Sequence, residues 1–158
     1  RCYKMKKMVL SLVPRILGLL DRSPASETYG CFDRNYWAYK IHDCVNIRFQ
    51  EASYLLALLY NNKFEGNVYY NNKKILSWVQ ASVDFYFKKQ SRDGSYDEVY
   101  PHEHSFCATS FATANITNAI ILCNLRFDKE KLIKTGMWLS KNDSYMTLNQ
   151  SWASLFAL

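Results

Sequence analysis

The chain has 158 residues, enough for one domain or part of one, with 49% apolar and 16% aromatic side chains. That composition supports a sizeable core and excludes a disordered chain. The formal charge of +6 arises without any block of five or more like charges, which excludes a nucleic-acid-binding tail and leaves solubility and a mild attraction for anions as its consequence.

Helical periodicity dominates, and strands are hard to find. Residues 5–20 read as a first helix, kinked or started afresh near Pro14, with Lys4, Lys6 and Lys7 at its solvated start. A loop with Ser23, Pro24 and Gly30 follows. Residues 47–60 predict a second helix whose buried stripe is Ala52, Leu55, Leu56 and Leu59, spaced i, i+3, i+4, i+7. Residues 74–90 predict a third, with Trp78, Val79, Ser82 and Phe85 or Tyr86 on one face. The fourth, 105–122, is rich in Ala and Thr and suited to close helix packing. Asp128 is the N-cap of a fifth that reaches Leu139. Thr147 or Asn149 opens a sixth that runs to Leu158. No run of about 18 apolar residues occurs, so no membrane span is expected. The chain starts on Arg1 and stops inside a helical pattern, which reads as a fragment of a longer protein.

Cysteines stand at positions 2, 31, 44, 107 and 123, an odd number without CxxC spacing. Neither zinc nor a disulfide framework is expected, and no cofactor. A reducing, cytoplasmic compartment follows, with Cys107 and Cys123 as small core residues.

The helices fall into an order. The third ends in Gln90-Ser-Arg-Asp-Gly-Ser-Tyr96, and the fifth ends in Lys141-Asn-Asp-Ser-Tyr145; Ser95-Tyr96 and Ser144-Tyr145 are 49 residues apart. His104-Ser-Phe-Cys-Ala matches Gln150-Ser-Trp-Ala-Ser at an offset of 46, and Gly30-Cys-Phe-Asp33 matches Gly94-Ser-Tyr-Asp97 at 64. This is a degenerate repeat of roughly 45–65 residues, in the range of stacked supersecondary units. Each unit reads helix, Gly-x-aromatic turn, polar loop, helix. Its glycine is expected to supply the left-handed residue that ends a helix, and its aromatic to fold back on that helix end. A lone pair of such helices cannot bury its apolar faces, so neighbours must stack.

The stretch Phe87-x-x-Gln90-x-x-Asp93-Gly94-Ser95-Tyr96 resembles the repeated Gln-and-aromatic motif of the α/α toroids, which include terpenoid cyclases and protein prenyltransferases. The barrel part of heparinase II/III-like lyases and several glycosidases share that architecture. GCFDRNYWAYKIHD and DGSYDEVYPHEHS are similar to toroid proteins associated with bacterial or archaeal surface polysaccharides. The resemblance spans about residues 30–158 and implies an all-α partial toroid of helical hairpins. It departs from the cyclases in lacking DxDD or another aspartate-rich motif, and from the prenyltransferases in lacking a zinc-type Asp, Cys and His set. Fold-level likeness says little about chemistry.

Two loops gather reactive groups. The first carries Asp33, Arg34, Tyr36, Trp37 and Lys40, with Arg48 beyond; the second carries Asp97, Glu98, Tyr100, His102, Glu103 and His104. In a toroid both would emerge at one end of the ring. A glycosidase needs two carboxyls flanking the scissile bond, for which Asp33, Asp97, Glu98 and Glu103 are candidates. A lyase acting on uronates needs a base beside the carboxylate and cations to hold it. Tyr96, Tyr100, His102 or His104 would serve as base or acid, and Arg34, Lys40 and Arg48 as the anion's partners. Tyr36, Trp37 and Tyr100 would stack on sugar faces. Each has a plainer reading. Asp33 and Arg34 suit a turn cap and its ion pair, and Glu103 suits a helix start. Gln50 and Glu51 suit bonds to loop backbone, and the tryptophans suit core packing. His102-Glu103-His104 lacks a third metal ligand. The expectation is a protein that cleaves or binds a carbohydrate polymer, with no nucleic-acid partner and its oligomeric state open. A non-catalytic helical-repeat binding module is the alternative, and a terpenoid or prenyl enzyme the third reading.

Overall fold

The computed structural model describes residues 2–142 and 148–157, and every regular element among them is helical. Ser144, Tyr145 and the predicted helix start at Thr147 lie outside the described residues. The elements are α1 (Cys2–Leu19), α2 (Arg34–Trp37), a 3₁₀ turn (Ile47–Glu51), α3 (Ala52–Asn61), α4 (Lys73–Lys88), α5 (Phe106–Cys123), α6 (Lys129–Lys141) and α7 (Leu148–Ala157).

Helix starts follow the capping chemistry of the sequence. Asn72 accepts the Lys74 N–H, Ser105 the Ala108 N–H and Asp128 the Lys131 N–H, each occupying one donor that the first turn leaves free. α5 closes on Asn124 in the left-handed region at φ +49°. Helix α1 runs through Pro14 as one element and does not restart there. Its last carbonyls are met from outside: Arg34 Nη1 donates to Gly18 O at 2.6 Å, and Trp37 Nε1 donates to Leu19 O at 2.7 Å.

The predicted helix 47–60 is two pieces. A 3₁₀ turn precedes α3, and the tighter winding carries Gln50 into the core. Within α3, Leu56 and Leu59 are buried as the stripe predicts, while Ala52 and Leu55 are half-buried and Ser53 and Ala57 are buried in addition. In α4 the face of Val79, Ser82, Phe85 and Tyr86 is buried, with Trp78 half-buried beside it.

Helix α5 lies between α3 and α7, α4 packs on α3, and α6 packs on α5. α5 buries Ala108, Ala112, Ala114 and Ala119 together with Thr109, Ser110 and Thr113. Small side chains let its neighbours approach closely. Those three hydroxyls are satisfied inside the helix: Thr109 donates to Ser105 O, Ser110 to Phe106 O and Thr113 to Thr109 O. By length and composition α5 could cross a membrane, and half of it is buried within the protein. One hydrophobic core joins Val13 of α1 and Leu20 just after it to Phe32, Leu56, Val79, Tyr86, Tyr96 and Ile116.

The two glycine turns do not terminate helices as expected. α4 ends at Lys88 with Lys89 as its C-cap, and Gly94 comes later. Instead each glycine lets a strap of chain press against a later helix. A Cβ on Gly30 would lie 2.2 Å from Ala81 O in α4, and one on Gly94 would lie 2.6 Å from Lys134 O in α6. Both glycines have positive φ, +92° and +104°.

Candidate functional site

In the first loop the acid faces inward. Asp33 is 1% exposed. Its Oδ1 accepts the Tyr36 N–H at 3.3 Å, capping α2, and its Oδ2 accepts the Asn46 N–H at 2.9 Å, closing the loop 34–46 on itself. Arg34 through Nη1 and Trp37 through Nε1 donate to the end of α1, Arg34 Nε is buried with no hydrogen-bond partner, and the guanidinium sits 5.4 Å from the Tyr39 ring. Tyr36 OH accepts from Lys89 Nζ at 2.7 Å, and Lys40 Nζ lies 6.0 Å from the Tyr36 ring centre. Lys40 itself has φ +54°, the turn that brings the chain back toward Asn46.

The second loop is built the same way, from carboxylates to backbone. Asp97 Oδ2 accepts the His102 N–H and Oδ1 the His104 N–H, both at 3.0 Å. Those two histidines have φ +64° and +53°, so the carboxylate holds two left-handed residues in place. Glu103 Oε2 accepts the Glu98 and Val99 N–H groups at 2.9 and 2.7 Å. Glu98 Oε2 accepts the Ser105 hydroxyl at 3.2 Å. Tyr100 is 62% exposed, Tyr39 of the first loop is 58% exposed, and His102 projects into solvent as well.

Asp93, Ser95 and His104 form a cluster with the residue types of a hydrolase triad but not its geometry. His104 Nδ1 lies 2.7 Å from Ser95 Oγ and 3.0 Å from Asp93 Oδ2, while Ser95 Oγ donates to Asp93 Oδ1 at 2.6 Å. A triad imidazole bridges serine and acid through its two different nitrogens, leaving the serine proton to the base. Here one nitrogen meets both partners, the serine proton goes to the acid, and Ser95 is fully buried. The cluster fastens the loop to the strap.

The loops meet. Ile47 N–H donates to Asp97 O at 3.3 Å. Beside that contact is a cavity of about 170 Å³ lined by Tyr36, Asp43, Cys44, Ile47, Lys89 and Asp97 among others. Burial, with Asp97, Glu103 and Asp33 nearby, pushes the Cys44 thiol up, so it stays protonated at neutral pH. An open cleft of about 340 Å³ lies between Arg48, Phe49, Glu51 and Glu98. In it Arg48 Nε donates to Glu51 Oε1 at 2.7 Å, Arg48 Nη1 donates to Cys107 Sγ at 3.4 Å, and the guanidinium lies 4.6 Å from the Phe111 ring. Burial pulls the Arg48 value down, but the hydrogen bond and charge of Glu51 outweigh it and raise it overall.

The structure thus brings Tyr36 and Asp97 to one cavity, and Arg48 and Glu98 to one cleft. Asp33, Arg34 and Trp37 lie beneath the loops as supports, and Tyr100 and His102 are exposed to solvent. Lys89, Cys44, Phe49 and Glu51 also line these spaces, and the sequence reading does not single them out as site residues. For Glu51 a signal exists: it is three residues from Arg48, the spacing at which opposite charges meet on one helical face. No group of three or more His, Cys, Asp or Glu side chains suited to a metal ion occurs among the described residues. No family model, curated protein or solved structure matches this chain, so its function is read from these two spaces and the loops that frame them.

Proposed function

We propose that the protein is a carbohydrate-binding module made of packed helical hairpins, one that holds a polymer without cleaving it. One observation carries this reading. Three of the loop acids, Asp33, Asp97 and Glu103, each accept two backbone N–H groups, while Tyr39 and Tyr100 of the same loops face solvent. A general acid must reach the glycosidic oxygen and a base the attacked proton or water. A carboxylate that closes a loop is poorly placed for either task. Exposed tyrosine rings, by contrast, offer flat apolar faces to sugar C–H groups and a hydroxyl to their edges. The partial-toroid reading is supported by α5 lying between α3 and α7, since alternate helices neighbour one another along the inside of such a ring.

Affinity electrophoresis through gels cast with soluble polysaccharides tests this. The native protein is expected to be retarded by at least one polymer, Tyr100→Ala to run closer to its mobility in a blank gel, and prolonged incubation to yield no new reducing ends or unsaturated products. Free mobility in every polymer, or product release, would overturn the reading.

A further inference from the structure

Resting on that binding reading, we infer that the cleft between Arg48, Phe49, Glu51 and Glu98 seats one neutral sugar ring of the polymer and refuses a uronate. The space, about 340 Å³, is shallow and open to solvent, so a ligand there would rest on it by one face.

Its polar groups are fixed before any ligand arrives. Glu51 holds one edge of the Arg48 guanidinium, Cys107 Sγ accepts from Nη1, and the Phe111 ring lies against the plane. A side chain gripped on three sides loses little further freedom on binding. A guanidinium has five N–H donors in all, and the contacts to Glu51 and Cys107 are made through Nε and Nη1 alone. The Arg48 and Glu51 side chains keep 34% and 28% of their exposure. Phe49, 37% exposed, supplies an apolar wall.

The chemistry of this set selects a class of ligand. A guanidinium only donates and a carboxylate only accepts. Neighbouring hydroxyls of a sugar each do both, so one pair can accept from Arg48 and donate to Glu51 or Glu98 at once. The axial C–H face of the same ring can then lie on Phe49. A uronate carboxylate could use Arg48 but would face two acids, and the cleft carries one cation against two anions. Like charges brought together are a standard device for rejecting the wrong partner.

Titration of the whole protein with neutral glucans, mannans and galactans, against polygalacturonate and alginate at equal ionic strength, tests the inference. A neutral polymer is expected to bind, and the uronate polymers to bind about tenfold more weakly or not at all. Phe49→Ala should weaken the neutral polymer by about tenfold with an unchanged melting temperature. Glu98→Lys, which reverses the charge balance, should lose neutral binding and gain retention by uronates. Tighter binding of uronate than of neutral polymer by the native protein would overturn the inference. So would neutral binding that survives Phe49→Ala yet falls with Tyr100→Ala, an outcome that leaves the binding module standing. Failure of every polymer to bind the native protein would remove both.

Discussion

At Gly30 and at Gly94 the chain crosses over a later helix, turns inward on an aromatic residue, and closes on an aspartate that accepts two backbone N–H groups. Phe32 and Tyr96 are both fully buried. The two straps differ in how their own backbone is satisfied. At the first, the single amide of Gln50 does the work: its Oε1 accepts the Phe32 N–H at 2.8 Å, and its Nε2 donates to Gly30 O and Ser82 O, both at 3.0 Å. At the second the task is divided. Thr109 Oγ1 accepts the Tyr96 N–H, Thr135 Oγ1 donates to Gly94 O, and Gln90 Nε2 reaches Lys131 O and Thr135 Oγ1. One fully buried side chain thus stands against three that share the load, so single substitutions should damage the first strap more than the second.

The largest effect is expected at the glycines themselves. Gly30→Ala must move the backbone of α4, because its new Cβ would meet Ala81 O at 2.2 Å, and it adds the strain of positive φ to an L residue. A loss of about 4 kcal/mol is expected, against about 3 kcal/mol for Gly94→Ala, whose nearest obstacle is 2.6 Å away. Urea melts of the two variants measure this, and equal midpoints would break the ranking. Gln50→Ala comes next. It leaves the Phe32 N–H, Gly30 O and Ser82 O without that partner, a cost of about 3 kcal/mol, while Thr109→Val orphans only the Tyr96 N–H at about 1–2 kcal/mol. Should Thr109→Val prove as damaging as Gln50→Ala, the division of labour at the second strap would be illusory.

Tyr96 sharpens the comparison in the opposite direction. Its ring stacks on Tyr86 at 4.3 Å, but its hydroxyl, buried beside Tyr86, Thr135 and Gln90, meets none of them in good hydrogen-bond geometry. Burial drives the Tyr96 phenol far above its ordinary value and the Tyr86 phenol to about 12, so neither ionises at neutral pH. The first strap has phenylalanine at this place. Tyr96→Phe should therefore leave stability unchanged or raise it by up to about 1 kcal/mol, since a buried hydroxyl without a partner is a cost. A lower melting temperature in that variant would show that the hydroxyl is satisfied after all.

Much of this was legible before any coordinates. The cap at Asp128 marks its helix because a capping side chain sits close in sequence to the N–H it accepts, so the signal is local. The plainer readings of Asp33 and Gln50 match their bonds to backbone, although the partners of Gln50, Phe32, Gly30 and Ser82, are distant in sequence. The glycines are different. Their φ is written in the sequence as the absence of a side chain, but the reason for it is a carbonyl about 40–50 residues away, which no window of helical periodicity contains. The cleft was illegible for a related reason. Phe49 and Glu51 sit inside a helical pattern that also predicts burial, and only the 3₁₀ turn, which rotates Gln50 inward, leaves them facing out.

The smallest effect lies at Asp93, which fastens the second strap at the protein surface. Burial pushes its carboxyl up, but the Ser95 hydroxyl and N–H, with His104 beside it, outweigh burial and hold it below its ordinary value of 3.8. A carboxyl depressed in the folded state binds its proton more readily when unfolded, so it stabilises the fold above the unfolded value and loses that contribution as pH falls through the folded one. The window therefore opens below about pH 4. With 42% of the side chain exposed, solvent screening limits the effect to less than about 1 kcal/mol. Melting temperatures of the native protein and of Asp93→Asn should diverge near neutral pH and converge toward about pH 2. Parallel curves over that range would mean that the Asp93 charge contributes nothing to the second strap.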